Sequence, residues 1–183
     1  SSVFEVTAPG IASELHTYVA TDAPIKFVVL KLRNRSGRPR RLSITGYCEL
    51  VLGSNRAANL PHVVTELDAK TGGLFARNAY NSEFAARVAF LDCSEQRRTI
   101  TGDRLEFLGR NGSTARPACL SRARLSGATG AALDPCLAMQ VTLDLADGEE
   151  REIAFTLGSG RDLADARHLV HRFRGTEPAR IAL

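Results

Sequence analysis

The chain has 183 residues and a formal net charge of +4 from 24 basic and 20 acidic side chains. That length predicts one domain, able to bury roughly 70% of its unfolded surface without disulfide or metal staples. A hydrophobic share of 44% beside 24% charged residues excludes wholesale disorder, and no apolar run reaches the about 18 residues that a membrane helix requires.

The first strong strand signal is Ile25 to Arg33, I-K-F-V-V-L-K-L-R, which is apolar on both faces. Two apolar faces suit a central strand covered on both sides. Arg41 to Leu52 then alternates strictly, with Leu42, Ile44, Gly46, Cys48, Leu50 and Leu52 on one face. The turn-forming N-R-S-G-R-P between them predicts a hairpin. Met139 to Ala146 and Arg151 to Leu157 repeat the pattern around Asp147-Gly148, which predicts a second hairpin. Shorter strands are expected at Phe4–Thr7, Glu14–Val19, His62–Leu67, Leu74–Arg77, Arg87–Asp92, Leu105–Leu108 and Cys119–Leu125. Gly and Pro punctuate them at the spacing of an all-β sandwich. One helix is expected. Ser159 to Asp162 resembles a capping box, and Leu163, Ala166, Leu169, Val170 and Phe173 follow at helical spacing, with Gly175 and Pro178 ending it.

The basic residues are 21 Arg and three Lys. Arg33, Arg35, Arg38, Arg40 and Arg41 cluster about Ser36-Gly37, which reads as a solvated turn. The other arginines mostly sit beside Asp or Glu, so nucleic acid is not an expected partner. Cys48, Cys93, Cys119 and Cys136 contain no C-x-x-C pair, which argues against zinc and for free thiols in a reducing compartment, with Cys48 and Cys136, inside apolar strand patterns, reading as small buried hydrophobes.

Two polar loops follow strand patterns, Gly53–His62 and Gly102–Ser113. Loops at the ends of a rigid sandwich are where specificity resides. Within them, Asp103 and Glu106 are an acid/base candidate against salt-bridged turn residues. Gly109–Gly112 is an anion- or sugar-binding loop candidate against a plain turn. His168 and His171 have metal-compatible spacing without a third ligand. Glu14 and His16 share a strand face. No catalytic set is complete and no metal site is assigned.

Several segments carry a resemblance: Ser13 to Gly53, P-H-V-V-T-E-L-D at Pro61–Asp68, F-A-R-N-A-Y-N-S-E-F at Phe75–Phe84, T-G-D-R-L-E-F-L-G-R-N-G-S at Thr101–Ser113, and L-D-P-C at Leu133–Cys136. Together they resemble the glycoside phosphorylase family of the cellobiose and chitobiose phosphorylases, and within it the carboxy-terminal phosphorylase-like region of bacterial cyclic β-1,2-glucan synthases. The resemblance implies an antiparallel β-supersandwich of the galactose-mutarotase-like kind over residues 1–160. Residues 161–183 would form the C-terminal helix and the start of a linker to an (α/α)6 barrel that this sequence does not contain.

In such enzymes phosphate attacks the anomeric carbon, and a barrel carboxylic acid protonates the leaving oxygen. The resemblance therefore implies a non-catalytic domain that partners the barrel of its own parent chain. It also implies polar loops lent to a β-linked glucan. Asn55, Arg56, Asn59 and His62, with Arg110 and Asn111 second, are the positions it places at the sugar rim. The disaccharide phosphorylases carry a Gln-Arg pair in the first loop, where Leu60 and Pro61 stand here. No cofactor is implied beyond inorganic phosphate as co-substrate of the parent. The family allows a homodimer, and implies a parent at the cytoplasmic face of the inner membrane.

Two other readings stay open: a pure packing or dimerisation domain, and an autonomous carbohydrate-binding module. Absence of Trp, with only Tyr18, Tyr47 and Tyr80, counts against a module built on flat aromatic platforms.

Overall fold

A computed structural model describes residues 2–181. Ten strands alternate with short helical pieces: β1 (Ser2–Ala8), β2 (Ile11–Val19), β3 (Ile25–Asn34), β4 (Arg40–Glu49), α1 (Arg56–Asn59), β5 (Val63–Leu67), β6 (Leu74–Asn78), β7 (Val88–Cys93), β8 (Arg98–Asp103), α2 (Arg104–Leu108), β9 (Pro135–Leu145), β10 (Glu150–Gly160), α3 (Leu163–Phe173) and α4 (Thr176–Ile181). They form a seven-stranded sheet in the order β1-β2-β3-β10-β7-β6-β5 and a three-stranded sheet in the order β4-β9-β8. Every pairing is antiparallel. This is the expected all-β sandwich.

The two-faced apolar pattern of β3 is explained by its place inside the large sheet. Leu32, with Val28 and Leu30, faces the inter-sheet core, which β9 supplies with Leu137, Met139, Val141, Leu143 and Leu145. Ile25, Phe27 and Val29 face the other way, into a second core closed by Ala166, Leu169, Val170 and Phe173 of α3. A third layer is thus present, with α3 lying on the outer face of the large sheet. Each fully buried Leu, Ile or Phe contributes on the order of 1.5–3 kcal/mol of transfer free energy.

Neither expected hairpin forms. β3 pairs with β2 and β10, whereas β4 pairs with β9 in the other sheet. The β9–β10 connection likewise crosses between sheets. Both turns are therefore arches rather than hairpins, and they lie side by side. Asn34 is their joint. It is 0% exposed. Its side-chain nitrogen donates to the carbonyls of Arg38 (2.8 Å), Leu145 (3.1 Å) and Ala146 (3.0 Å). Its side-chain oxygen accepts from the Ser36 amide and hydroxyl. The Gly148 amide donates to the Asn34 carbonyl, and the Gly37 amide to Asp147 Oδ1. Gly37 and Gly148 sit at φ 75° and 79°, the left-handed region that glycine enters without a Cβ penalty.

Four shorter expectations change. Leu105–Leu108 is helical, and the strand lies just before it as β8. Cys119–Leu125 is not a strand: Ala118–Ser121 makes a single 3₁₀ turn. The cap of α3 is Asp162, whose side chain accepts from the Asp165 amide, not Ser159. After Gly175 the chain enters α4, which contains Pro178, rather than leaving helical structure.

Buried ion pairs fix α3. Arg167 reaches Asp68 at 2.6 Å, and Arg174 reaches Asp92 at 2.8 Å. Arg98 meets the same Asp92 at 2.8 Å. The topology also sorts the connections. The turns β3–β4, β5–β6, β7–β8 and β9–β10 are short and share one end. The long connections 50–62, 79–87 and 104–134 share the other.

Candidate functional site

The long-connection end holds the sequence-predicted residues. In the first loop Asn55 caps α1, its side chain accepting from the Ala58 amide at 2.9 Å. Asn59 donates back to the Asn55 carbonyl and accepts from Asn78 Nδ2 at 2.9 Å. Asn78 is buried and also bonds the Leu52 carbonyl, so it ties this loop to the end of β6. Arg56 pairs with Asp134 and lies 4.0 Å from Glu49. Both acids also hold Arg104. The charge of Arg56 is therefore shared with a four-member cluster rather than presented freely. His62 is half-buried and stacks on Tyr80, with ring centroids 4.0 Å apart and planes 11° from parallel.

The second loop grows from α2. Asp103 caps that helix, its carboxylate accepting from the Leu105 amide at 2.9 Å. Glu106 turns inward to accept from the Thr101 hydroxyl (2.6 Å), the Ser126 hydroxyl (2.6 Å) and the Ser126 amide (2.9 Å). Burial alone would raise its pKa, but these hydrogen bonds and Arg122 outweigh it and hold the carboxyl below its ordinary range. Asp103 and Glu106 are thus committed to holding the loop. Gly109–Gly112 is a tight turn, the Gly112 amide bonding the Gly109 carbonyl. Arg110 and Asn111 are exposed at its tip.

Between the first loop and residues 78–87 lies a cleft of about 440 Å³. Ser54, Asn78, Asn81, Glu83, Phe84, Arg87 and Ser159 are among its lining residues. Tyr80, next to the lining residue Asn81 in the chain, is 76% exposed, and Phe84, which lines the cleft, is 46% exposed. The Arg87 guanidinium carbon lies 5.4 Å from the Phe84 ring centroid. None of the loop residues expected at the sugar rim lines this cleft. The signal was an aromatic flanked by asparagines in N-A-Y-N, but the stack on His62 joins residues 18 positions apart in sequence and needs the β5–β6 pairing. A larger groove of about 570 Å³ runs between the sheets along β4, lined by Leu15, Val28, Leu30, Ile44 and Phe155 among others, and is mainly apolar.

The other candidates resolve simply. Glu14 and His16 do bond each other on β2. His168 and His171 are exposed, and no cluster of three metal-ligating side chains exists among the described residues. All four cysteines are free. Burial pushes the Cys93 thiol up to about 11, which keeps it protonated and unreactive at neutral pH.

A seven-stranded sheet over a three-stranded one, with the long connections at one end, defines an antiparallel β-sandwich domain. The family model for the glycosyl hydrolase 94 supersandwich domain matches residues 1–176, and the chain belongs to that family. It is 36% identical over 161 residues to the cyclic beta-(1,2)-glucan synthase NdvB of Rhizobium meliloti, a match covering 87% of this chain and 6% of that protein. It is 24% identical over 164 residues to a cellobionic acid phosphorylase of Neurospora crassa, covering 87% of this chain and 21% of the relative. The chain thus spans a small part of both relatives. A solved polysaccharide lyase shares the fold at a TM-score of 0.55 and 11% identity, over 92% of this chain and 23% of that one.

Proposed function

We propose that this domain is a non-catalytic component of a glucan synthase- or phosphorylase-like protein. It supports a catalytic helical barrel in the same parent chain and offers its long loops to a β-linked glucan. The observation that carries the reading is the family membership combined with convergence of the three long connections at one end of a rigid sandwich. A rigid scaffold with loops gathered at one end is how sandwiches position binding residues. Arg110 and Asn111 are the predicted rim residues left to face a ligand, and His62 stands behind Tyr80. Asn55, Arg56 and Asn59 shape the loop that carries His62. The inward carboxyl of Glu106 is held ionised, so it has no proton to give a leaving group near neutral pH.

The test is phosphorus NMR of the 183-residue chain with β-1,2-gluco-oligosaccharides and inorganic phosphate. No glucose 1-phosphate should form. Sustained formation that disappears in Glu106→Gln would overturn the non-catalytic reading.

A further inference from the structure

Composition counted against an aromatic platform, because the chain lacks Trp and has three Tyr. The structure divides those tyrosines. Tyr18 is buried and donates to the Ala179 carbonyl. Tyr47 lies flat on Phe107 with centroids 4.3 Å apart. Only Tyr80 stands out. An aromatic ring this exposed, in a loop between two buried strands, contributes nothing to the core. Its ring is nevertheless held in a fixed plane, because His62 stacks against one face. The backbone beneath is fixed too, since the Tyr80 amide donates to Asn78 Oδ1 at 3.1 Å, and Asn78 is itself buried.

The adjoining cleft supplies a complementary polar set. Asn81 Oδ1 accepts from the amides of Glu83 and Phe84, so its side-chain nitrogen is not the group that holds the turn. Neither Glu83 nor Arg87 forms an ion pair among the described residues. This contrasts with Arg56, Arg98, Arg104, Arg167 and Arg174, all paired. A volume of about 440 Å³ falls within the roughly 300–1,000 Å³ of small-molecule sites. An exposed aromatic face one residue along the chain from a cleft lined by amide, carboxylate, guanidinium and hydroxyl groups offers the chemistry that recognises a pyranose ring. The apolar C–H face stacks on the ring, and the equatorial hydroxyls take the polar groups.

We propose that Tyr80, backed by His62, and the cleft lined by Ser54, Asn81, Glu83 and Arg87 form a gluco-oligosaccharide subsite. The subsite rests on the glucan-facing reading above, and extends it to a loop that the sequence left unassigned. His62 acts there by fixing the plane of Tyr80.

The experiment is titration of the ¹⁵N-labelled chain with sophorose, the β-1,2-linked glucose disaccharide. Amide shifts should concentrate at residues 52–54 and 78–87, with a dissociation constant in the millimolar range. Tyr80→Ala should weaken binding roughly three- to tenfold, as expected for losing one aromatic face, while Tyr80→Phe should retain most of it. Both should leave Tm unchanged, because the ring is exposed. Shifts confined to 109–112 would overturn the subsite while leaving a sugar-facing rim. No saturable shift at tens of millimolar sophorose would overturn it outright; the rim reading would then stand or fall on kinetics of the longer protein. An unaltered affinity in Tyr80→Ala would likewise reject the aromatic platform.

Discussion

The joint between the two arches gives the sharpest stability prediction. Asn34→Ala removes the two amide protons that serve the carbonyls of Arg38, Leu145 and Ala146, and the oxygen that orders Ser36. The Leu145 contact is fully buried. A buried carbonyl left without its donor costs about 1–3 kcal/mol, and the two partly wetted hydrogen bonds to Arg38 and Ala146 about 0.5 kcal/mol each, so the loss should total about 2–4 kcal/mol. With a urea m-value of about 2 kcal/mol/M, the midpoint should fall by about 1–2 M. With no Trp in the chain, far-UV circular dichroism is the suitable probe. Asn34→Asp should be at least as damaging, because it sets a carboxylate against the same carbonyls. Ser36→Ala should cost less than either. A loss below about 0.5 kcal/mol for Asn34→Ala, the size of an ordinary surface change, would refute the joint.

Two other outcomes follow from buried charge. Asp92 is 1% exposed between Arg98 and Arg174. Asp92→Asn should destabilise by about 3–5 kcal/mol, the cost of leaving a buried guanidinium without its acid, and hydrogen exchange should rise first along α3. Asp68 and Glu106 are both held below their ordinary values. In each, burial acts upward but is outweighed, by Arg167 and Thr71 for Asp68 and by Ser126, Thr101 and Arg122 for Glu106. A depressed folded pKa means the unfolded chain takes the proton first. Their stabilisation is therefore complete above the ordinary carboxylate range and is lost as pH falls through the folded values. Urea midpoints measured from neutral pH into that range should fall less steeply in Glu106→Gln than in the parent; parallel curves would contradict this.

Strand identity was more legible than strand partnership. The double-faced pattern of Ile25–Arg33 correctly implied a covered strand, and strict alternation located β4, β9 and β10. Alternation states which residues share a face, not which strand lies alongside. N-R-S-G-R-P and D-G can close a hairpin or an arch equally well. The difference lies in Asn34, whose amide reaches carbonyls 111 and 112 residues away. The β8 strand was hidden because Thr99, Thr101 and Gly102 have no apolar face to display, although Thr101 is fully buried and bonds Glu106. At the site, the polar loops were visible as composition. Occupation of Arg56 by Asp134 and Glu49 was not, since it depends on residues from β4 and the start of β9 meeting at one sandwich end. The Tyr80–His62 stack was hidden for the same reason.

On the proposed reading, the domain serves catalysis through its loops as well as by packing. The direct measurement is steady-state kinetics of the full-length gene product with β-1,2-glucan, comparing the native sequence with His62→Ala and Arg110→Ala, alongside Tm. Both variants should show a lower kcat/KM with Tm unchanged. Unchanged kinetics in both would refute that role and leave packing against the proposed barrel as the domain's whole contribution.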